Sequence, residues 1–187
     1  MKGVFGGNFD PVHIGHLIPA IDAINILNLE KVLLIPAWIS PFKEDIETTS
    51  FKHRLEMLRL AIEGKPFFEV LDIEGRRKGI SYTYDTLKEL REREGDVCLL
   101  IGEDQAEGFN RWRRWREIVK MVDVYVLRRK RTPKDYLPCL RPLRSRVIET
   151  SSTDIREAIR NGELLDYYIP DRVLLYIKEH GLYRQIK

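Results

Sequence analysis

The chain is poor in sulfur and side-chain amides and has no long apolar run. Its 187 residues include two cysteines, Cys98 and Cys139, and two glutamines, Gln105 and Gln185. Two cysteines make no disulfide framework, and no metal-site spacing links them. Cys98, inside an apolar stretch, reads as a buried free thiol. No segment approaches the ~18 apolar residues that a membrane helix needs. The N-terminus carries no signal-peptide pattern and enters a strand at once, so the cytoplasm is the expected location. Repeats and low-complexity linkers are also missing. Scarce glutamine beside abundant Lys, Arg and Glu fits a heat-adapted source. The net charge of +3 suits a small anionic substrate and does not require nucleic acid.

With 43% hydrophobic and 33% charged residues, the sequence describes a globular chain long enough for one substantial core. A single domain is expected over 1–187, with a helical C-terminal part from about 150. Strand signals alternate with helix signals, which argues for an α/β fold. Strands are predicted at Lys2–Phe5, Lys31–Ile35, Phe67–Ile73, Val97–Ile101, Val124–Leu127 and Val147–Glu149. Helices are predicted at Gly15–Asn28, at Ser50–Glu63 with Ser50 as N-cap, and from a Ser81 cap to about Arg93. A short helix and loop, Gln105–Asn110, lead to an Arg/Trp-rich helix ending near Val122. The segment Ala37–Thr49 reads as loop, Gly75–Gly79 as a basic turn, and the proline-interrupted Arg128–Arg146 as irregular structure. Ser152 or Thr153 is expected to cap a helix Asp154–Asn161 that Gly162 stops. Pro170 opens the last helix, which Gly181 ends.

The most informative stretch is Gly6-Gly7-Asn8-Phe9-Asp10-Pro11-Val12-His13-Ile14-Gly15-His16. A strand, a glycine-rich turn and a helix start make a ready anion site, because backbone N–H groups and the helix dipole both favour a phosphate. Two of the four histidines, His13 and His16, lie three apart at that helix start and can face one ligand. Near the other end, Ser152, Thr153 and Arg156 sit at a second helix start, with Thr153 and Arg156 on one face. Asp10 before Pro11 reads as a structural turn residue. No convincing Ser-His-Asp or Cys-His arrangement is present.

The first stretch, with its literal H-I-G-H, resembles the signature of the nucleotidyltransferase superfamily that carries the H-x-G-H motif. Thr150-Ser151-Ser152-Thr153-Asp154-Ile155-Arg156 resembles the I-S-S-T-x-I-R motif of its small adenylyltransferases, with Thr150 in an apolar position. Two motifs in the right order are more specific than either alone. The lysine-rich loop of the related synthetases is absent. The middle of the chain resembles bacterial nicotinate-nucleotide adenylyltransferases. Ile80-Ser81-Tyr82-Thr83-Tyr84-Asp85-Thr86-Leu87 is similar to their P-S-Y-T-x-x-T-L, Ile101-Gly102-Glu103-Asp104 to their I-G-x-D, and Trp112 to their base-stacking tryptophan. Ile35 to Lys43 resembles their I-P-x-x-x-P-P-H-K, with Ser40 and Phe42 as departures, and the C-terminal segment matches as well.

The resemblance implies a Rossmann-like, doubly wound, mainly parallel sheet with the site at the strands' carboxyl ends. It implies transfer of an adenylyl group from ATP to nicotinate mononucleotide, with Mg²⁺ held mainly by substrate phosphates and no protein metal site. His16 would contact the α-phosphate, and His13 the outer phosphates; Arg156 would pair with the β- or γ-phosphate. Gly6, Gly7, Asn8, Phe9, Gly102, Ser152 and Thr153 would help hold ATP. Asn8 stands where Thr or Ser is usual, but its amide can still reach phosphate or ribose. Asp104 would accept from ribose hydroxyls, and Lys43 and Arg128 would reach phosphates. Ser81, Tyr82, Thr83 and Trp112 would hold the acceptor, Thr83 by its donors to the carboxylate and Trp112 by stacking on the ring. Trp115 reads as helix packing. Two alternatives stay open: nicotinamide mononucleotide or phosphopantetheine as acceptor, and a nucleotide- or RNA-binding protein using the basic runs Arg111–Arg116 and Arg128–Lys134.

Overall fold

The structure is a computed structural model, and it describes residues 1–41, 48–128 and 136–184. Its framework is a six-stranded, all-parallel sheet. Strands β1 (Lys2–Gly7), β2 (Val32–Pro36), β3 (Phe68–Val70), β4 (Val97–Gly102), β5 (Val124–Leu127) and β6 (Leu140–Leu143) lie in the order β3-β2-β1-β4-β5-β6. β2 and β4 are buried at every position, as continuous apolar strands covered on both faces must be. Side chains alternate between those faces along each strand. Phe5, Leu34 and Leu100 join one core, while Val4, Leu33, Leu99 and Ile101 join the other.

Helices α1 (Ile14–Leu27), α2 (Phe51–Ile62), α7 (Ser152–Asn161) and α8 (Asp171–Glu179) contribute to the first core through Ala23, Leu58, Ile155 and Val173. Helices α3 (Ile73–Arg77), α4 (Thr83–Glu94), α5 (Glu103–Glu107) and α6 (Trp115–Met121) contribute to the second through Ile73, Leu87, Ala106 and Ile118. The sheet is therefore doubly wound. Its order reverses between β1 and β4, and a crevice opens at the carboxyl ends of those two strands.

Several expectations need correction. The last strand is Leu140–Leu143, not Val147–Glu149. Pro142 argued for irregular structure there, but β6 is an edge strand, where a missing N–H is tolerated. Val147 and Ile148 are only half-buried, and Thr150 N donates to Ile148 O in a tight turn. The third strand stops at Val70, and Ile73 opens α3 instead. A short apolar run does not separate a buried strand from a buried helix start. Gly75 is not a turn glycine. It lies in α3 where a Cβ would collide with the Phe51 ring. Ser81 does not cap α4, whose N-cap is Tyr82; the Ser81 hydroxyl accepts from Trp38 N at 2.8 Å. The cap of α7 is Ser151, one residue earlier than expected, in a reciprocal box with Asp154. Ser50 caps α2 as predicted, and Asn28 ends α1 in the left-handed region. Cys98 is a buried free thiol whose pKa burial pushes up to about 12.

Candidate active site

The Gly6–Phe9 turn leaves β1 and ends at Phe9 with φ 50°, a strained conformation for a large side chain. An aromatic cluster holds it. The Phe9 ring lies 5.7 Å from Phe5 edge-on and 5.0 Å from His16. His13 then caps α1, its Nδ1 accepting from Gly15 N at 3.1 Å. One turn on, His16 Nδ1 accepts from His13 N at 3.3 Å. The two imidazoles lie 3.9 Å apart, tilted by 45°, yet their places differ. His13 is fully buried, whereas His16 is 8% exposed and lines the cavity.

That cavity has a volume of about 740 Å³, within the ~300–1,000 Å³ usual for ligand sites. It lies over Gly6 and Gly7 of β1 and Ile101 and Gly102 of β4, where the topology opens the crevice. First-turn residues of three of the longer helices face it: His16 of α1, Thr83 of α4, and Ser152 and Thr153 of α7. Three positive dipole ends and a glycine-rich turn around one space suit a polyanion.

Arg156 reaches the cavity from α7. Its Nη1 donates to Asp10 O at 2.7 Å and its Nη2 to Thr153 Oγ1 at 3.3 Å. Ser152 Oγ donates to Pro11 O at 3.0 Å, which docks α7 against the turn between β1 and α1. Asp10 is structural, as expected: one carboxylate oxygen accepts from Thr49 N at 3.1 Å, the other from Tyr183 OH at 2.6 Å. Burial and the adjacent carboxylate push the Tyr183 pKa far up, so its phenol stays a donor.

The start of α4 contributes to the cavity as well. Tyr82 and Thr83 line it with Trp112, whose ring lies 5.0 Å from Phe109. Behind them Glu74 accepts from Thr86 Oγ1 at 2.7 Å, and Arg77 Nη2 donates to the same hydroxyl at 2.8 Å. Burial raises the Glu74 pKa, against hydrogen bonds from Ser81 and Thr86 and the charge of Arg77. Much of the basic segment is spent internally. The guanidinium of Arg113 lies 4.5 Å from the Tyr82 ring, that of Arg114 3.7 Å from Tyr84, and that of Arg116 4.6 Å from Trp115. Trp115 packs on the second core, as expected.

Of the residues named from sequence, the cavity gathers Gly6, Gly7, Asn8, Phe9, His16, Gly102, Asp104, Ser152, Thr153 and Arg156. Ser81, Tyr82, Thr83 and Trp112 line the same space. His13 lies behind His16, in a capping position. Arg128 follows β5 and interacts with Tyr136 outside this lining. Lys43 and Phe42 lie outside the described residues. Sequence reasoning missed Glu74, which falls between an expected strand and an expected turn, and Arg54, which looks like an ordinary charge on an amphipathic helix. For Arg54 there was a signal: it falls on the buried stripe of α2 with Met57 and Leu58.

A family model described as cytidylyltransferase-like matches residues 4–158. A Hydrogenobaculum sp. protein named a probable nicotinate-nucleotide adenylyltransferase is 38% identical over 186 residues, covering 96% of each chain. A relative of the same name from Enterococcus faecalis is 38% identical over 184 residues, covering 97% of this chain and 84% of its own. Among solved structures, the Plasmodium falciparum nicotinic acid mononucleotide adenylyltransferase complexed with NaAD superposes with a TM-score of 0.76 at 20% identity. That match spans 97% of this chain and 96% of the other. The chain belongs to the cytidylyltransferase-like family, alongside the nicotinate-nucleotide adenylyltransferases.

Proposed function

We propose that this protein transfers the adenylyl group of ATP to nicotinate mononucleotide, giving nicotinate adenine dinucleotide and pyrophosphate, a step of NAD biosynthesis. One observation carries the reading. A single cavity is lined both by the Gly6–Phe9 turn, His16 and Arg156, which suit a polyanion, and by the aromatic and hydroxyl side chains of Ser81, Tyr82, Thr83 and Trp112.

The chemistry is an in-line displacement at the α-phosphorus of ATP. An acceptor phosphate oxygen forms the new P–O bond, and the bond to the β-phosphate breaks, its electron pair leaving with pyrophosphate. Such a reaction asks for alignment and charge stabilisation rather than a protein nucleophile. The bond from His13 N to His16 Nδ1 assigns the ring proton to Nε2, which from the cavity wall would donate to the α-phosphate oxygens. Arg156 and the first turn of α7 take the leaving phosphates. Asp104 accepts from ribose. Trp112 stacks on the pyridine ring, and Thr83 at the start of α4 donates to its carboxylate.

Among the described residues, no group of three or more His, Cys, Asp or Glu could hold a metal ion. We infer that Mg²⁺ would enter with ATP and be carried mainly by the triphosphate oxygens, because this ion keeps waters and substrate phosphates among its ligands. When bound, it would neutralise charge on the leaving pyrophosphate. Neither Arg156 nor His16 has to act as its ligand.

Pyrophosphate release from ATP and Mg²⁺ tests the reading, with nicotinate mononucleotide, nicotinamide mononucleotide and phosphopantetheine supplied in parallel. A large kcat/KM preference for the first is expected. Turnover confined to another acceptor overturns the substrate, and no turnover with any of them overturns the activity.

A further inference from the structure

Arg54 is the bulkiest of the fully enclosed side chains among the described residues, at 2% exposure. Its neighbours on the buried stripe of α2 are Met57 and Leu58. A methionine or leucine would fill the same space without the desolvation penalty of a buried cation. The penalty is visible in its pKa, which burial lowers against the charges of Asp10, Tyr183 and Glu74. A guanidinium nevertheless keeps its proton inside proteins.

Its bonds show what the cation does. Nε donates to Thr49 O at 2.8 Å, Nη1 to Asn8 O at 2.9 Å and Nη2 to Trp38 O at 3.3 Å. The three carbonyls belong to separate pieces of chain: the turn after β1, the loop after β2 and the entry to α2. No ladder hydrogen bond joins Asn8, Trp38 and Thr49 to one another. A planar fork with fixed donor directions sets their relative positions, and a lysine ammonium lacks that geometry. Asp10 repeats the tie, its carboxylate accepting from Thr49 N and its carbonyl from Arg156. Arg54 thus stands behind the turn whose front, Gly6 to Phe9, lines the cavity. Phe9 holds a positive φ, so the turn needs support to keep its shape.

We propose that Arg54 is a positioning residue for nucleotide binding. By holding the Asn8 carbonyl against Trp38 and Thr49, it fixes the direction in which the Gly6–Phe9 turn presents its backbone to the phosphates of ATP. The inference rests on reading this cavity as the adenylyl-transfer site, with ATP phosphates at the turn. Arg54 touches no substrate and acts through the main chain.

The test uses Arg54→Lys, Arg54→Met and, as a core control, Leu58→Ala on the opposite account: a buried α2 residue with no bond to the turn. Affinity for α,β-methylene ATP is measured by calorimetry, well below each variant's melting temperature, beside pyrophosphate release. Arg54→Met should weaken analogue binding by on the order of tenfold or more, and Arg54→Lys by less. KM for ATP should rise more than KM for the acceptor. Leu58→Ala should lower the melting temperature and leave the affinity of the folded protein alone. Arg54 variants that melt early but bind the analogue like wild type would show a merely structural role and overturn the proposal. If Arg54→Met does not fold, Arg54→Lys decides by the same comparison. Wild-type protein that binds the analogue yet releases no pyrophosphate overturns the adenylyl-transfer reading alone, and the binding series still decides the role of Arg54.

Discussion

The His13 and His16 rings lie 3.9 Å apart at a 45° tilt, and the His13 N–H donates to His16 Nδ1. One histidine therefore orients the other. Its own Nδ1 is engaged as the helix cap, accepting from Gly15 N. His16 carries the exposed edge of the pair into the cavity.

His16→Ala should leave the fold intact and lower kcat by about 10²- to 10³-fold, the usual effect of removing one donor to a developing charge. His13→Ala should act differently. Losing the cap costs about 0.5–2 kcal/mol, so the melting temperature falls together with kcat. His13→Asn keeps a capping side chain and should recover stability without full activity. Equal melting temperatures for His13→Ala and His16→Ala would remove the distinction between a capping and a catalytic histidine.

Gly15 is the tightest point behind this pair. A Cβ there would meet His13 Cε1 and Nδ1 at 2.9 Å and Thr150 Cγ2 at 3.1 Å. Both contacts are closer than side chains normally tolerate, and the nearer one is the capping imidazole. Gly15→Ala, usually mild in a helix, should here displace the cap and depress kcat by tenfold or more, roughly the penalty of a misplaced group. Wild-type kinetics in a folded Gly15→Ala protein would mean that the His13 ring yields freely.

Trp112 carries a prediction about the acceptor nucleotide. Stacking on a base or pyridine ring contributes about 1–3 kcal/mol. Trp112→Ala should therefore raise KM for the pyridine nucleotide roughly tenfold or more and leave KM for ATP near its starting value. Trp112→Phe should recover much of the loss, because a flat ring remains. A matched rise in both KM values would point to collapse of the Phe109 packing instead of lost stacking.

The sheet and its site were legible because the strongest signals were local. Val32–Pro36 and Val97–Gly102 are continuous apolar runs, and the turn with His13 and His16 sits directly after the first strand. What stayed hidden depends on tertiary position. Pro142 looked like a strand breaker until the sheet placed it on an edge. Ser81, Ser151 and Ser152 are equivalent as candidate caps in sequence. Only the packing of Trp38 and Pro11 decides which hydroxyl goes elsewhere. Arg54 joins carbonyls 16, 46 and 5 residues away, and no local pattern names those partners.

The packing of α2 on α8 is where pH should act on stability. His53 Nδ1 lies 2.8 Å from Tyr176 OH, the His180 ring is 5.3 Å from that of His53, and Tyr176 stacks on His180 at 4.0 Å. Burial, then the charges of His180 and Lys52, lower the His53 pKa below its ordinary value of 6.5. The folded state thus binds this proton less well than the unfolded chain. Its contribution is complete above pH 6.5 and is lost as pH falls through the lowered folded value. The melting temperature should therefore stay level above about pH 7 and drop as pH falls below 6.5. His53→Gln keeps a polar partner for Tyr176 but cannot take up the charge, so its melting temperature should vary less over the same range. Parallel pH profiles for the two proteins would place the acid sensitivity elsewhere in the molecule.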